Sequence, residues 1–140
     1  MNQKTFARVK RLFIKTANGQ IFIRFFPEQS FALLRKKYQA YIRKCAENGL
    51  PFIIRIEYGG LGDHINYSAL PEAIFRKYGV KTQISLDSAF NSPEIKNFVW
   101  GNNPYISFTS QKGKLITPPN VRNYRNYNEI LLALLGLDGP

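Results

Sequence analysis

The alternation of apolar and polar positions changes rhythm several times along the 140-residue chain. From Phe31 the apolar residues recur every three or four positions, through Leu34, Tyr38, Tyr41, Ile42 and Cys45. Arg35, Lys36, Lys37, Arg43 and Lys44 fill the positions between them. This period predicts a helix with one apolar stripe and a basic remainder. Pro27-Glu28-Gln29-Ser30 suits its first turn, and Gly49 and Pro51 stop it. Upstream, residues 11–16 and 20–25 are rich in β-branched and aromatic side chains, with Ala17-Asn18-Gly19 between them. Asn-Gly between two such runs predicts a β-hairpin over residues 11–26.

Downstream the runs are shorter and the two periods alternate. Residues 52–58 predict a strand, and Gly59, Gly60 and Gly62 a turn with the freedom to adopt positive φ. A helix over 63–78 follows, in which Ile65, Leu70, Ile74 and Phe75 are expected to face the sheet. Pro71 predicts a kink there, or a fresh helix capped by Ser68. Residues 81–86 predict a second strand with Asp87 at its carboxyl end. Ser92-Pro93-Glu94 begins a short helix, Asn103-Pro104 marks a turn, and 105–109 is a third strand. Residues 110–125 read as irregular, and a final helix over 127–135 stops at Gly136. Strands alternating with helices predict an α/β fold with a Rossmann-like parallel sheet. Residues 51–140 form that domain, and residues 1–50 a basic hairpin-helix extension. Three parallel strands leave faces and an edge to cover, which suggests the front part of a longer protein. A complete small domain closed by the hairpin is the alternative.

Charge adds one feature. The total is +11, but residues 1–50 hold 11 Lys and Arg against two acids, and the remaining residues nine against seven. Such asymmetry points to an anionic partner for the first third, an anionic membrane surface or nucleic acid, or else to a solvated face without a partner. Tyr38 and Tyr41 among those cations are read as packing residues of the stripe. Cys45, the single cysteine, excludes an intrachain disulfide and a cysteine-built metal site and reads as a small core residue. No metal site is expected. No apolar run is long enough to span a bilayer, and no secretory leader is evident, so a cytoplasmic location is expected.

Candidate chemistry concentrates at the glycine turn, beyond the carboxyl end of a strand, where open α/β sheets bind ligands. As a dinucleotide fingerprint it lacks the third glycine, Ile65 standing in that place, and Asp63 would oppose a pyrophosphate at the helix start. Asp87 is the feature that favours such a site. Alternatively, Asp63 is a working carboxylate that accepts a proton from a hydroxyl nucleophile. The plain reading of Asp63 is a helix cap.

Gly59-Gly60-Leu61-Gly62-Asp63-His64, followed by Ser68-Ala69-Leu70-Pro71 and a helix ending in Tyr78-Gly79, resembles the N-terminal domain of glycosyltransferase family nine, the lipopolysaccharide heptosyltransferases and their relatives. The strand over 81–86, Asn102-Asn103-Pro104-Tyr105 and the helix ending in Gly136-Leu137 continue the resemblance over roughly residues 51–138. It implies the N-terminal half of a GT-B fold, which holds the acceptor. Asp63 would be the general base, and Gly60 and Gly62 would bring backbone to the acceptor. The acceptor implied is a glycan or lipid-linked, lipopolysaccharide-type molecule at the inner membrane face. His64 departs from the family's apolar residue; it neighbours the acceptor or is a half-exposed structural histidine. Arg122 and Arg125 are candidates for contacts with acceptor phosphates or carboxylates. The nucleotide-sugar donor belongs to a C-terminal domain outside these residues, so no cofactor is expected on this chain and no turnover by it alone. The alternatives are a non-catalytic binder of nucleic acid or anionic lipid through the basic third, and a dinucleotide-binding domain.

Overall fold

The computed structural model describes residues 3–4, 27–118 and 126–137. The hairpin expected over 11–26, and Arg122 and Arg125, lie outside the described residues. The described elements are α1 (Pro27–Glu47), β1 (Phe52–Arg55), α2 (Leu61–Tyr67), α3 (Leu70–Tyr78), β2 (Thr82–Ser85), α4 (Pro93–Trp100), β3 (Ile106–Thr109), β4 (Lys114–Leu115) and α5 (Tyr127–Leu134). Four parallel strands form one sheet in the order β3-β2-β1-β4. The chain is therefore α/β with an all-parallel sheet, compatible with a Rossmann-like fold.

Register fixes the faces. Ile54 pairs with Ile84 and with Lys114, and Ile84 with Phe108, so these side chains share one face. Tyr41 of α1 packs on Phe52 with ring centroids 5.6 Å apart, and Lys96 of α4 lies 4.4 Å over the Phe108 ring. α1 and α4 thus cover the same face. The crossovers from β1 to β2 and from β2 to β3 advance in the same direction along the sheet, which puts α2, α3 and α4 on one face. The opposite face carries Ile53, Arg55 and Gln83, half-buried, and Ser107 and Leu115, exposed among the described residues.

The helix of the basic extension belongs to this core. Phe31, Leu34, Tyr38, Ile42 and Cys45 are buried in one cluster with Phe52, Ile54, Ile74, Ile84, Leu131 and Leu134. At about 25 cal/mol per Å² of apolar surface, each such side chain contributes roughly 1.5–3 kcal/mol. Arg35 Nη1 donates to Ala133 O at 2.8 Å, and Lys77 Nζ to Gly136 O. Two cations thereby satisfy carbonyls at the end of α5, where a helix carries negative charge.

β4 lies in a stretch that reads as irregular. Only four residues, 110–113, link it to β3, too few for a crossover helix. This link passes the carboxyl ends of β2 and β1, and the Gln111 carbonyl accepts a hydrogen bond from Ser85 Oγ at 2.6 Å. A Cβ on Gly113 would stand 2.5 Å from the Ile54 carbonyl carbon, so glycine alone lets the link lie against β1. Two phenols then hold the strand and the residue after it. Tyr38 Oη donates to Leu115 O at 3.1 Å, and Tyr67 Oη to Ile116 O at 2.6 Å.

The helix expected over 63–78 is two helices. α2 ends at Ser68, whose hydroxyl donates to Ile65 O at 2.6 Å. α3 starts afresh with Pro71 in its first turn, and Ala69, not Ser68, is its N-cap residue. The expected inner face of α2 is corrected: Ile65 is 47% exposed and Phe75 of α3 is 40% exposed, while His64 and Tyr67 point inward.

Candidate functional site: the carboxyl edge of the sheet

β1 ends at Arg55, and Ile56 carries the chain toward the glycine turn. That turn is zipped to the loop after β2. Ile56 N donates to Ser88 Oγ at 3.0 Å, Ala89 N to Ile56 O at 2.9 Å, and Asn91 N to Gly59 O at 3.0 Å. Gly59 is buried, and a Cβ there would meet Asn91 Oδ1 at 2.4 Å. This close approach explains that glycine. Positive φ does not explain the turn: Gly59, Gly60 and Gly62 all lack it, and Gly60 is extended at φ −73° and ψ 159°. Gly62 lies within the first turn of α2, exposed, with open space where a Cβ would be.

Asp63 sits one turn into α2 and is half-buried. Its Oδ2 accepts from Gly60 N at 3.1 Å, which satisfies one of the free donors of the helix start. Oδ1 accepts no hydrogen bond among the described residues. The carboxylate therefore caps its helix with one oxygen and keeps the other.

Tyr127, at the start of α5, belongs to the same neighbourhood and carries no motif in the sequence. Asn126 Oδ1 accepts from Glu129 N at 2.9 Å and so caps α5. Asn128 Nδ2 donates to Asn66 O at 2.8 Å and ties α5 to the last turn of α2. This places the Tyr127 hydroxyl 3.5 Å from that of Tyr67. Burial raises the pKa of Tyr127, the Tyr67 hydroxyl opposes the shift, and the negative charges of Asp63, Tyr58 and Glu57 add to it. Burial raises that of Tyr67 further, with Tyr127 adding to the shift. Both phenols stay protonated and can donate hydrogen bonds.

His64 takes no part in this edge. It is fully buried, not half-exposed, stacked on Phe90 with centroids 4.7 Å apart. Trp100 Nε1 donates to His64 Nδ1 at 3.0 Å, so Nε2 carries the proton and donates to Ala89 O at 2.7 Å. Both ring nitrogens are engaged, which leaves none for a ligand. This corrects the placing of His64 among the substrate-binding residues. A buried histidine held by an indole and a carbonyl is a packing residue with its polar atoms satisfied.

Asp87 ends β2. Its carboxylate competes with the Gln111 carbonyl for the one proton of Ser85 Oγ and faces Arg55 Nη1 at 3.8 Å, both side chains about two-fifths exposed. An exposed pair of this length contributes well under about 1 kcal/mol. Its oxygens are engaged locally, which weakens the case for a ribose ligand. Among the described residues no three His, Cys, Asp or Glu side chains gather as metal ligands. Cys45 is a buried thiol whose pKa burial raises, in keeping with a core residue. No helix of the described residues is long and apolar enough to cross a membrane. No protein-family model matches the chain, and no curated protein and no solved structure is significantly similar to it.

Proposed function

We propose that the chain is the acceptor-side part of a glycosyltransferase that moves a sugar from a nucleotide-sugar donor to a glycan or lipopolysaccharide-type acceptor. The observation that carries the reading is the divided role of Asp63, one oxygen on the Gly60 N–H and the other unengaged among the described residues. The acceptor hydroxyl gives its proton to that carboxylate while its oxygen bonds to the anomeric carbon of the donor. The bond from that carbon to the nucleotide's phosphate breaks, and the phosphate leaves with the electron pair. Asp63 lies in the first turn of α2, where the positive end of the helix faces its carboxylate. The donor is held by a further domain, and the acceptor lies along the carboxyl edge of the sheet beside Gly60, Gly62 and Tyr127. A glycan in this position works close to an anionic membrane face.

The dinucleotide reading has less support. α2 is only seven residues long and opens on an acidic side chain, where a pyrophosphate needs free N–H groups and positive potential.

Asp63→Asn separates the roles, since an amide oxygen still accepts from Gly60 N–H but takes no proton. Transfer from a panel of nucleotide sugars by the protein joined to its donor domain should fall at least about 100-fold, with an unchanged melting temperature. Unchanged turnover would remove Asp63 from the chemistry.

A further inference from the structure

The solvent side of α1 carries Lys36, Lys37, Arg43 and Lys44, all exposed. Lys37 and Lys44 lie on one line of the helix, two turns and about 10 Å apart, and bracket Tyr41. β4 brings a fifth cation to the same place: Lys114 Nζ sits 4.3 Å over the Tyr41 ring. That contact fixes an ammonium that would otherwise swing freely. The Tyr41 ring in turn packs on Phe52, so the platform is rigid.

None of the five makes an ion pair with a carboxylate among the described residues. Lys114 meets the opposite situation. Its pKa is lowered first by burial and then by the neighbouring charge of Lys37. The charge of Lys37 thus acts on Lys114 from a different element, and a bound anion would offset that repulsion. Meanwhile Glu57, Asp63 and Asp87 stand at the carboxyl edge of the sheet, in the loops after β1 and β2.

The chemistry of this face selects among anionic partners. A helix that enters a bilayer surface presents large apolar side chains to it. The apolar stripe of α1 is spent on the core, and between Lys36 and Glu47 the outward positions are Lys36, Lys37, Ala40, Arg43, Lys44 and Glu47. What remains is a row of cations at fixed spacing without an apolar wedge, which suits a chain of phosphates. Tyr41 is covered by Lys114 and Phe52 and offers no free ring for stacking on bases. We propose that the outer face of α1, completed by Lys114, docks the phosphate backbone of a nucleic acid without reading its sequence.

The inference is independent of the transferase reading, and its test uses the full chain. A fluorescein-labelled 24-base-pair DNA duplex of mixed sequence is titrated with protein at several salt concentrations. Five phosphate contacts give a log–log salt slope of about −4.5. In Lys37→Ala/Lys44→Ala the slope should move to about −2.7 and the affinity at low salt should fall roughly tenfold or more. A scrambled duplex should bind equally, and Lys112→Ala, an exposed lysine of the link that is not one of the five, should bind as the parent does. Both substituted lysines are exposed, so an unchanged melting temperature is expected. Absence of DNA binding at low salt would overturn the proposal. So would equal binding by the double variant, or tight binding to vesicles containing phosphatidylserine with no binding to DNA.

Discussion

The two flanks of α2 place neighbouring residues in opposite circumstances. Toward α4, His64 is enclosed by Phe90 and Trp100, and both its nitrogens are fixed. Toward α5, Asp63 keeps an unengaged oxygen among the described residues, and two phenols lie close by. The imidazole, the side chain most often associated with proton transfer, is here a structural pin, and the carboxylate next to it is the group with capacity to spare. Residue type does not assign a chemical role; the number of hydrogen-bonding positions left over after packing does.

Three substitutions probe that contrast. The largest effect is expected from His64→Ala, which opens a cavity and leaves the buried Trp100 N–H without an acceptor. We expect a loss of about 3–5 kcal/mol in urea unfolding. A loss below about 1 kcal/mol would mean that this flank is not a pin.

Tyr67→Phe should cost less, about 1–2 kcal/mol near neutral pH, because it removes the bond to Ile116 O and the long contact with the Tyr127 hydroxyl but leaves the ring in place. It also carries a pH signature. Burial first, then Tyr127, raises the Tyr67 pKa, so the folded state holds this proton more tightly than the unfolded chain does. That stabilisation is complete below the unfolded value of about 10 and declines as pH rises above it. The phenylalanine variant should therefore lose stability less steeply above pH 10. Some decline will remain, because burial pushes Tyr38 up to about 12. Parallel alkaline unfolding curves for parent and variant would contradict the assignment.

The smallest effect belongs to Asp63→Ala, which removes one cap bond at a half-buried site. A melting experiment should show a change of about 1 kcal/mol or less. A loss as large as that at His64 would make both flanks structural and leave the edge without a working group.

How far these features can be read from sequence depends on how many residues share the signal. The stripe of α1 spans four turns and five buried side chains, so its inner face is legible. β1, β2 and β3 are legible as apolar runs between turn residues. The restart at Pro71 is legible too, although its cap is not. The inner face of α2 is misread because Ile65 is the more apolar residue, whereas the phase of this short helix is set by the turn before it. Nothing in Lys114-Leu115 marks a strand, since two residues carry no period; β1 and two tyrosine hydroxyls make it one. Tyr127 joins Asp63 only through packing of α5 on α2, a relation between residues more than 60 positions apart.

The link between β3 and β4 has a mechanical consequence. To reach its place the chain must travel three interstrand spacings, about 14 Å, with five Cα-to-Cα steps that extend to about 17 Å. Almost no slack is left, so the length of 110–113 acts as a ruler for the register of the outermost strand. One residue fewer would pull Lys114 away from Ile54, and with it the ammonium from the Tyr41 ring. The geometry of the cationic face is thus measured out by a loop on the far side of the sheet's edge.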